Sequence, residues 1–465
     1  MPSYSILDLS LQGLPSEVQQ QILSHLVSSK SFNSIHSLLL TCKHLYDIAL
    51  PFSVQTYSNA PLLSRSDGPQ PRNRTLQFLR YITLIKPEVA RHVQTLDLQE
   101  WSYERNPSSK ALRVKPDERL LYQKLLRKEL PSEKKSNLNY ISRWSKALNE
   151  GVEDASLALL LVVCSNIQTL LFAEAEQESF FTGFLSTVIS DALAAGGSTD
   201  NFLNRLHCVK HHGGGSWELS SLEFEKFHLW LFQMPGIKTF EVDSVCVHKV
   251  YCETIDKIPR RSSSIESLPL SDSTSMTPAF HSLIGACRSL RLFHYKHESM
   301  GCPEEVTPRD IISALLLHAD TLEDLHVTSS CGLDYWHKLA SSQDPGWTYM
   351  GSQLSQMHKL KHLALAVEAL TGIHNRAADY PPDVFRKPAP PPLAECIPEQ
   401  LEYLEIEHPK MEDMAYLVEF VETLRSGNRF SQLRLVRFRF GSSRVEKEEL
   451  QSLHVNKDGL TVGGL

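Results

Sequence analysis

The amino-acid sequence predicts an α/β solenoid, with parallel strands inside and helices outside, preceded by a small all-α module. Three observations support this fold class. Two amphipathic helical patterns occupy the start of the chain, a short apolar pattern recurs along the remainder, and helical patterns precede several of its copies. A repeated helix–strand unit implies parallel strands, because each helix returns the chain to the same end of the sheet.

Composition places the chain among globular proteins. It has 465 residues, of which 42% are hydrophobic and 22% charged, and a formal net charge of −7 that does not indicate nucleic-acid binding. The nine cysteines are scattered without a CxxC motif, which is typical of reduced intracellular thiols. The N-terminus lacks a signal-peptide pattern, and the longest apolar run, LALLLVV, is far shorter than the roughly 20 residues that span a bilayer. We therefore expect a cytoplasmic or nuclear protein with no membrane or nucleic-acid partner.

The first helix is predicted in LPSEVQQQILSHL. Pro15 suits a first helical turn, where its missing N–H would have no partner. Val18, Ile22 and Leu26 recur every four residues and form an apolar stripe, and the glutamines from Gln19 onward are predicted to face solvent. A second helix is predicted from about Ser34 to Ile48, with Pro51 marking its end. Two such short helices leave part of their apolar surface to be covered, either by the rest of the chain or by a partner.

The pair of segments LPSEVQQQILSHL and SLLLTCKHLYDIALP resembles an F-box over residues 10–51. In that family the module binds the Skp-type adaptor of SCF-class cullin–RING ubiquitin ligases, in a mode close to helix-in-groove recognition. The resemblance implies a contact set made of Leu14, Pro15, Ile22, Leu26, Leu38, Cys42 and Leu45.

An apolar pattern, φxxφxφ with φ an apolar residue, recurs after this module. It begins at Val93, Ile167, Leu203, Ile237, Leu290, Leu322, Leu360, Leu401 and Leu433. The array resembles the leucine-rich-repeat-like horseshoe of the F-box/LRR class, including filamentous-fungal proteins, although its intervals exceed the usual period of about 20–29 residues. A plain α/β domain with adjacent strands is the alternative.

Composition also predicts the boundaries. Residues 52–74 form a polar linker and residues 75–445 the repeat domain. Two insertions are predicted inside it: a Ser-rich disordered loop near 259–278, open to phosphorylation, and an extended Pro-rich segment near 381–398. Residues 446–465 form a C-terminal tail.

The sequence contains no complete catalytic motif. The stretch HHGGGSW, from His211, resembles part of a lipase-like oxyanion hole, but no G-x-S-x-G elbow accompanies it. The pairs His207/His211 and His358/His362 fall on predicted strands, where four residues separate side chains by about 13 Å, too far for one metal ion. We therefore expect no catalytic residues, no cofactor and no metal site.

The inner face of the predicted strands is the expected binding surface. Its polar residues are Asp97, Arg205, His207, Glu241, Asp243, His294, Lys296, Asp324, His326, Tyr403, Glu405, Arg437 and Arg439. Among them, Arg437, Arg439, His294, His326 and Tyr403 are the candidate substrate contacts. The two arginines alternate with apolar residues and could bind a carboxylate or a phosphorylated segment, or could simply solubilise a terminal strand.

Together these features predict a non-catalytic substrate-recognition adaptor subunit of an SCF-type ligase, which binds a Skp-type adaptor and an unknown target protein. The alternative is a repeat scaffold with no ubiquitin-ligase role.

Overall fold

The chain forms two compact units, an N-terminal unit, Met1–Lys210, and a C-terminal unit, His211–Leu465. The structure, a computed structural model, describes residues 11–29, 31–59, 74–98, 114–130, 135–173, 179–194, 204–212, 222–223, 226–243, 245–247, 255–275, 277–297, 306–329, 349–371, 392–407, 414–426, 429–439 and 461–464.

The N-terminal unit begins with three helices, α1 (Ser16–Ser28), α2 (Phe32–Leu39) and α3 (Lys43–Ser53). Leu23, Ile35 and Ala49, one from each helix, form the centre of their common core. The predicted second helix is corrected, since α2 ends before Leu40 and α3 restarts at Lys43.

Pro51 lies inside α3 and does not end it. It lies in the last turn of α3, two residues before the helix ends at Ser53, and its missing N–H removes one backbone hydrogen bond there.

Further helices and strands complete the described part of the N-terminal unit. The helices are α4 (Arg74–Arg80), α5 (Pro116–Glu129), α6 (Lys135–Asn149), α7 (Glu153–Val163) and α8 (Phe180–Ala194). The strands are β1 (Thr56–Ser58), β2 (Thr95–Leu98), β3 (Thr169–Ala173) and β4 (Cys208–His212), which starts in this unit. The pairs β1–β2 and β2–β3 are parallel.

The prediction of a linker over residues 52–74 is wrong for its first part, because β1 pairs with β2 there. The side chain of Tyr57 holds β1 against the rest of the unit. Its ring is buried and stacks on Phe78 at 4.4 Å between centroids, and its hydroxyl donates to Thr75 at 2.9 Å. Burial raises the pKa of Tyr57 to about 12.

The C-terminal unit alternates strands and helices. Its described strands are β5 (Leu222–Glu223), β6 (Thr239–Asp243), β7 (Val245–Val247), β8 (Ser267–Ser275), β9 (Leu292–His297), β10 (Asp324–Ser329), β11 (His362–Ala366), β12 (Tyr403–Glu407), β13 (Leu435–Arg439) and β14 (Thr461–Gly464). Its described helices are α9 (Lys226–Gln233), α10 (Thr277–Ala286), α11 (Pro308–Leu315), α12 (Gly351–Leu354), α13 (Val367–Thr371), α14 (Leu393–Cys396) and α15 (Met414–Ser426).

Neighbouring strands of the main sheet are parallel and follow the order β6–β8–β9–β10–β11–β12–β13–β14. Each step from β8 to β13 contains at least one helix, which is the arrangement that parallel pairing requires. The predicted α/β class with parallel strands is confirmed. None of the described helices has the length and apolar character needed to cross a bilayer.

The apolar positions of the repeat form the core. On β10, for example, Leu325 and Val327 are buried, and their neighbours on the strand are more exposed. The predicted strands are confirmed at all the starting positions except Leu203. There the strand begins only at Cys208, so the pattern shifts to Leu206, Val209 and the buried His211.

The Ser-rich segment is the largest correction. It contains β8, which pairs with β6 and β9, and therefore is not a loop. Ile265, Leu268 and Leu270 are buried and supply a further copy of φxxφxφ. A buried serine is accommodated by a hydrogen bond that the fold supplies, since Ser263 Oγ donates to the carbonyl oxygen of Phe232 at 2.6 Å.

Two other predicted boundaries are also corrected. The end of the Pro-rich segment forms α14, with Leu393 and Cys396 buried, while residues 381–391 lie outside the described residues. The predicted tail contains β14, which pairs with β13, so β13 is not a terminal strand.

Candidate protein-docking surfaces

The turn before α1 is held by a buried glutamine. Gln19 Nε2 donates to the carbonyl oxygens of Leu11 and Leu14, both at 2.9 Å, and to that of Gln12 at 3.4 Å. The prediction that Gln19 faces solvent is wrong, because its amide satisfies carbonyls that the helix cannot reach. These bonds fix the position of Leu14.

Cys42 links the same turn to α3. Its Sγ accepts a hydrogen bond from the Leu45 backbone N–H at 3.5 Å, as the N-cap of α3, and another from Gln12 Nε2 at 3.0 Å. The half-buried thiol thus has a local structural role in addition to any contact with a partner.

The residues predicted to bind an adaptor differ in exposure. Pro15 is exposed, Leu14, Ile22, Leu26, Leu38 and Cys42 are half-buried, and Leu45 is buried. Leu26 and Leu38 pack against the core of the three helices. The prediction is corrected for Leu45, whose side chain is only 6% exposed and therefore offers little surface to a partner.

Two exposed apolar side chains were missed. Leu40 is 88% exposed in the break between α2 and α3, and Val18 is exposed on α1. Val18 lies at helical spacing from Pro15 and Ile22, so the three share one side of α1. A signal for Leu40 was present, because three successive leucines cannot all face one side of a helix.

A second surface lies on the C-terminal unit, where one face of β9–β13 carries polar side chains. We call it the polar strand face; it consists of His294, Asp324, His326, His362, Tyr403, Glu405, Glu407, Arg437 and Arg439. The parallel register places His326 opposite His294 and Arg437 opposite Glu405.

Asp324 joins two histidines of this face. Its Oδ1 lies 2.9 Å from His294 Nε2 and its Oδ2 lies 3.2 Å from His362 Nδ1. Burial alone would raise the pKa of Asp324, but these two imidazoles outweigh it and lower the pKa of the carboxyl below its usual value.

Two buried carboxylates hold the arginines of β13. Arg439 Nη2 lies 2.9 Å from Glu405 Oε1, and its Nη1 lies 2.9 Å from Glu407 Oε1. Arg437 Nη1 lies 3.6 Å from Glu405 Oε2. The same carboxylate oxygen accepts a hydrogen bond from the Tyr403 hydroxyl. Burial and the Glu405 carboxylate raise the pKa of Tyr403 to about 12, so its hydroxyl remains a donor at neutral pH.

Small residues at the centre of the face allow a contact across a whole strand. Ala364 and Ala366 occupy the corresponding positions of β11. His326 on β10 reaches over them, and its Nε2 lies 3.3 Å from Glu407 Oε1 on β12. The rings of His294 and His326 meet edge to face at 5.3 Å between centroids. The polar side chains are therefore connected from β9 to β13.

All five predicted substrate contacts, Arg437, Arg439, His294, His326 and Tyr403, belong to the polar strand face. Sequence reasoning missed His362 and Glu407, which occupy the same periodic positions and so could have been found. Arg205 and His207 were wrongly assigned to a strand, since they precede β4.

The stretch considered for a hydrolase is described only at its start. His211 is buried, and its Nδ1 lies 2.7 Å from Nε2 of the buried His228, with the rings stacked at 4.9 Å. Residues 213–217 lie outside the described residues. Within the described parts of the chain, no group of three or more His, Cys, Asp or Glu side chains is placed to hold a metal ion.

Comparison with known proteins assigns no family. No family model matches the chain, and no characterised protein matches it at a significant level.

Proposed function

We propose that the protein is the substrate-recognition subunit of an SCF-type cullin–RING ubiquitin ligase, acting in the cytoplasm or nucleus. The three N-terminal helices act as an F-box and dock on a Skp-type adaptor. The helix–strand units continue as a leucine-rich-repeat-like solenoid, and the polar strand face binds the target protein.

The observation that carries this proposal is the exposed apolar surface of the N-terminal helices. Leu40 is 88% exposed in the break between α2 and α3. On the side of α1, Pro15 and Val18 are exposed and Ile22, one turn after Val18, is half-buried. Exposed apolar side chains on a small helical module are typical of a surface that a partner covers. The hydrogen bonds of Gln19 hold the turn before α1 in one conformation, which reduces the conformational entropy lost on binding.

In this role the chain itself needs no catalytic residues. It would accelerate ubiquitin transfer by holding a target close to the ubiquitin-conjugating enzyme, so that a bimolecular encounter becomes effectively intramolecular. Chemistry would take place on other subunits of the ligase, without a cofactor or metal in this chain.

Co-precipitation of the full chain with a purified Skp-type adaptor tests the proposal. A Val18→Asp, Leu40→Asp double variant buries two charges in the interface, so we expect binding to weaken at least about 100-fold, which corresponds to about 2.7 kcal/mol. Leu120→Asp is the matched control, because Leu120 is 68% exposed on α5 of the same unit. It should bind like the unmodified chain.

Two results would contradict the proposal. If the unmodified chain fails to bind any Skp-type adaptor, the F-box assignment is wrong and a scaffold without ligase function becomes the better account. If the Val18, Leu40 double variant binds as well as the Leu120 control, the adaptor docks elsewhere.

A further inference from the structure

The polar strand face presents its basic groups to solvent and its acidic groups to the protein. In each of its ion pairs the base is the more exposed partner: the side chain of His362 is 52% exposed against 27% for Asp324, and that of Arg439 is 50% exposed against 5% for Glu405. His326 and Arg437 likewise cover the almost fully buried Glu407 and Glu405. A ligand that approaches from solvent therefore meets N–H donors first.

The buried carboxylates also prepare the arginines for binding. Glu407 accepts a hydrogen bond from Arg439 Nη1, and Glu405 forms an ion pair with its Nη2, so both ends of this guanidinium are held before a ligand arrives. A guanidinium carries five N–H donors, and those not aimed at the carboxylates remain for a ligand. An arginine held in this way loses little conformational entropy when it binds a carboxylate or phosphate.

We propose that the polar strand face binds an acidic segment of a partner protein. The inference rests on the proposed function in that this partner would be the ligase substrate. Five adjacent strands span about 19 Å, which matches about six residues of extended peptide. A nucleic acid fits less well, because its interfaces carry a strong excess of basic residues that this chain, with a net charge of −7, lacks.

Fluorescence anisotropy with the full chain tests the inference. The probe is a labelled peptide of about ten residues that alternates Ser and Glu, compared with its Ser and Gln counterpart. We expect the Glu peptide to bind at least about tenfold tighter than the Gln peptide, because its carboxylates form charge-assisted hydrogen bonds with the arginines. A version with phosphoserine should bind at least as well as the Glu peptide.

Variants assign the effect to residues. Arg437→Gln with Arg439→Gln should abolish the preference for the Glu peptide. Arg434→Gln, which removes a highly exposed guanidinium just before β13, should preserve it. The Gln pair leaves buried carboxylates without their arginine partners, so a second variant is needed. Arg437→Lys with Arg439→Lys keeps the charge but removes the planar guanidinium, and we expect it to bind the Glu peptide with intermediate affinity.

Equal binding of the Glu and Gln peptides would overturn the inference, as would tighter binding of a uridine oligonucleotide of similar length. Unchanged binding in both arginine double variants would do the same. Adaptor co-precipitation distinguishes this failure from failure of the proposed function. If the chain binds the adaptor but not the acidic peptide, only the inference about the polar strand face is wrong. If it binds the acidic peptide but not the adaptor, only the ligase assignment is wrong.

Discussion

At the scale of single residues, Gln19 holds the turn that precedes α1. Its side-chain amide reaches two carbonyl oxygens at 2.9 Å that precede α1, and it is buried while the adjacent Gln20 is exposed. Replacing a buried hydrogen-bonding group leaves its partners unsatisfied, and that loss exceeds the net contribution of the bond itself.

Gln19→Ala should therefore lower the free energy of unfolding of α1 by about 1–3 kcal/mol. The neighbouring Gln20→Ala should change it by less than about 0.5 kcal/mol, since an exposed side chain has no such role. Amide hydrogen exchange along α1 measures both values. Equal exchange rates in the two variants would show that the buried amide does not hold the turn.

At the scale of strands, a ladder of charges orders the C-terminal sheet. The residue after the first apolar position of each repeat alternates in sign, from Lys238 through Glu266, Arg291, Glu323, Lys361 and Glu402 to Arg434. Glu323 lies between two basic side chains. Its Oε1 is 2.6 Å from Arg291 Nη2, and its Oε2 is 3.0 Å from Lys361 Nζ. Exchange of neighbouring strands would bring like charges together, so the ladder favours the observed order.

Glu323 also makes part of the stability dependent on pH. Hydrogen bonds from Lys361 and Arg291 lower the pKa of Glu323. A carboxyl with a lower pKa in the folded state stabilises the fold above its unfolded value of about 4.3, and the contribution disappears as the pH falls through the folded value.

Urea unfolding should therefore show Glu323→Gln to be less stable than the unmodified chain at neutral pH, by about 0.5–1 kcal/mol for two exposed pairs. The difference should shrink as the pH falls below the unfolded value of about 4.3, and vanish once the pH is below the lowered pKa of Glu323 and both chains carry a neutral side chain. Glu399→Gln removes a single exposed pair with Arg429 and should have a smaller effect. A difference that persists in acid would show that charge is not its cause.

The strands also show what local pattern can and cannot predict. The repeat at Leu322 was predictable because Leu325 and Val327 alternate with polar residues, and alternation is a local property. The repeat at Ile265 was missed because its serines suggested a loop, although Ser263 is satisfied by a carbonyl that only the fold brings near. Likewise, alternation placed Arg439 on the polar strand face, but its ion pairs with Glu405 and Glu407 depend on the strand register.

At the scale of the whole molecule, the two units carry different kinds of surface. The N-terminal unit exposes apolar side chains on short helices, which suits a constant partner held by shape and apolar burial. The C-terminal unit exposes a network of charged and aromatic side chains, which suits a partner selected by charge. The proposed function calls for such a division, with one surface for the adaptor and another for the target.

Titration calorimetry of the full chain with a purified Skp-type adaptor tests the central claim most directly. The account predicts an equimolar complex with a Kd of about 1 μM or tighter, and a negative heat-capacity change because apolar surface is buried. Absence of binding at adaptor concentrations of about 100 μM would contradict it, since an interface that weak could not hold a subunit in a ligase.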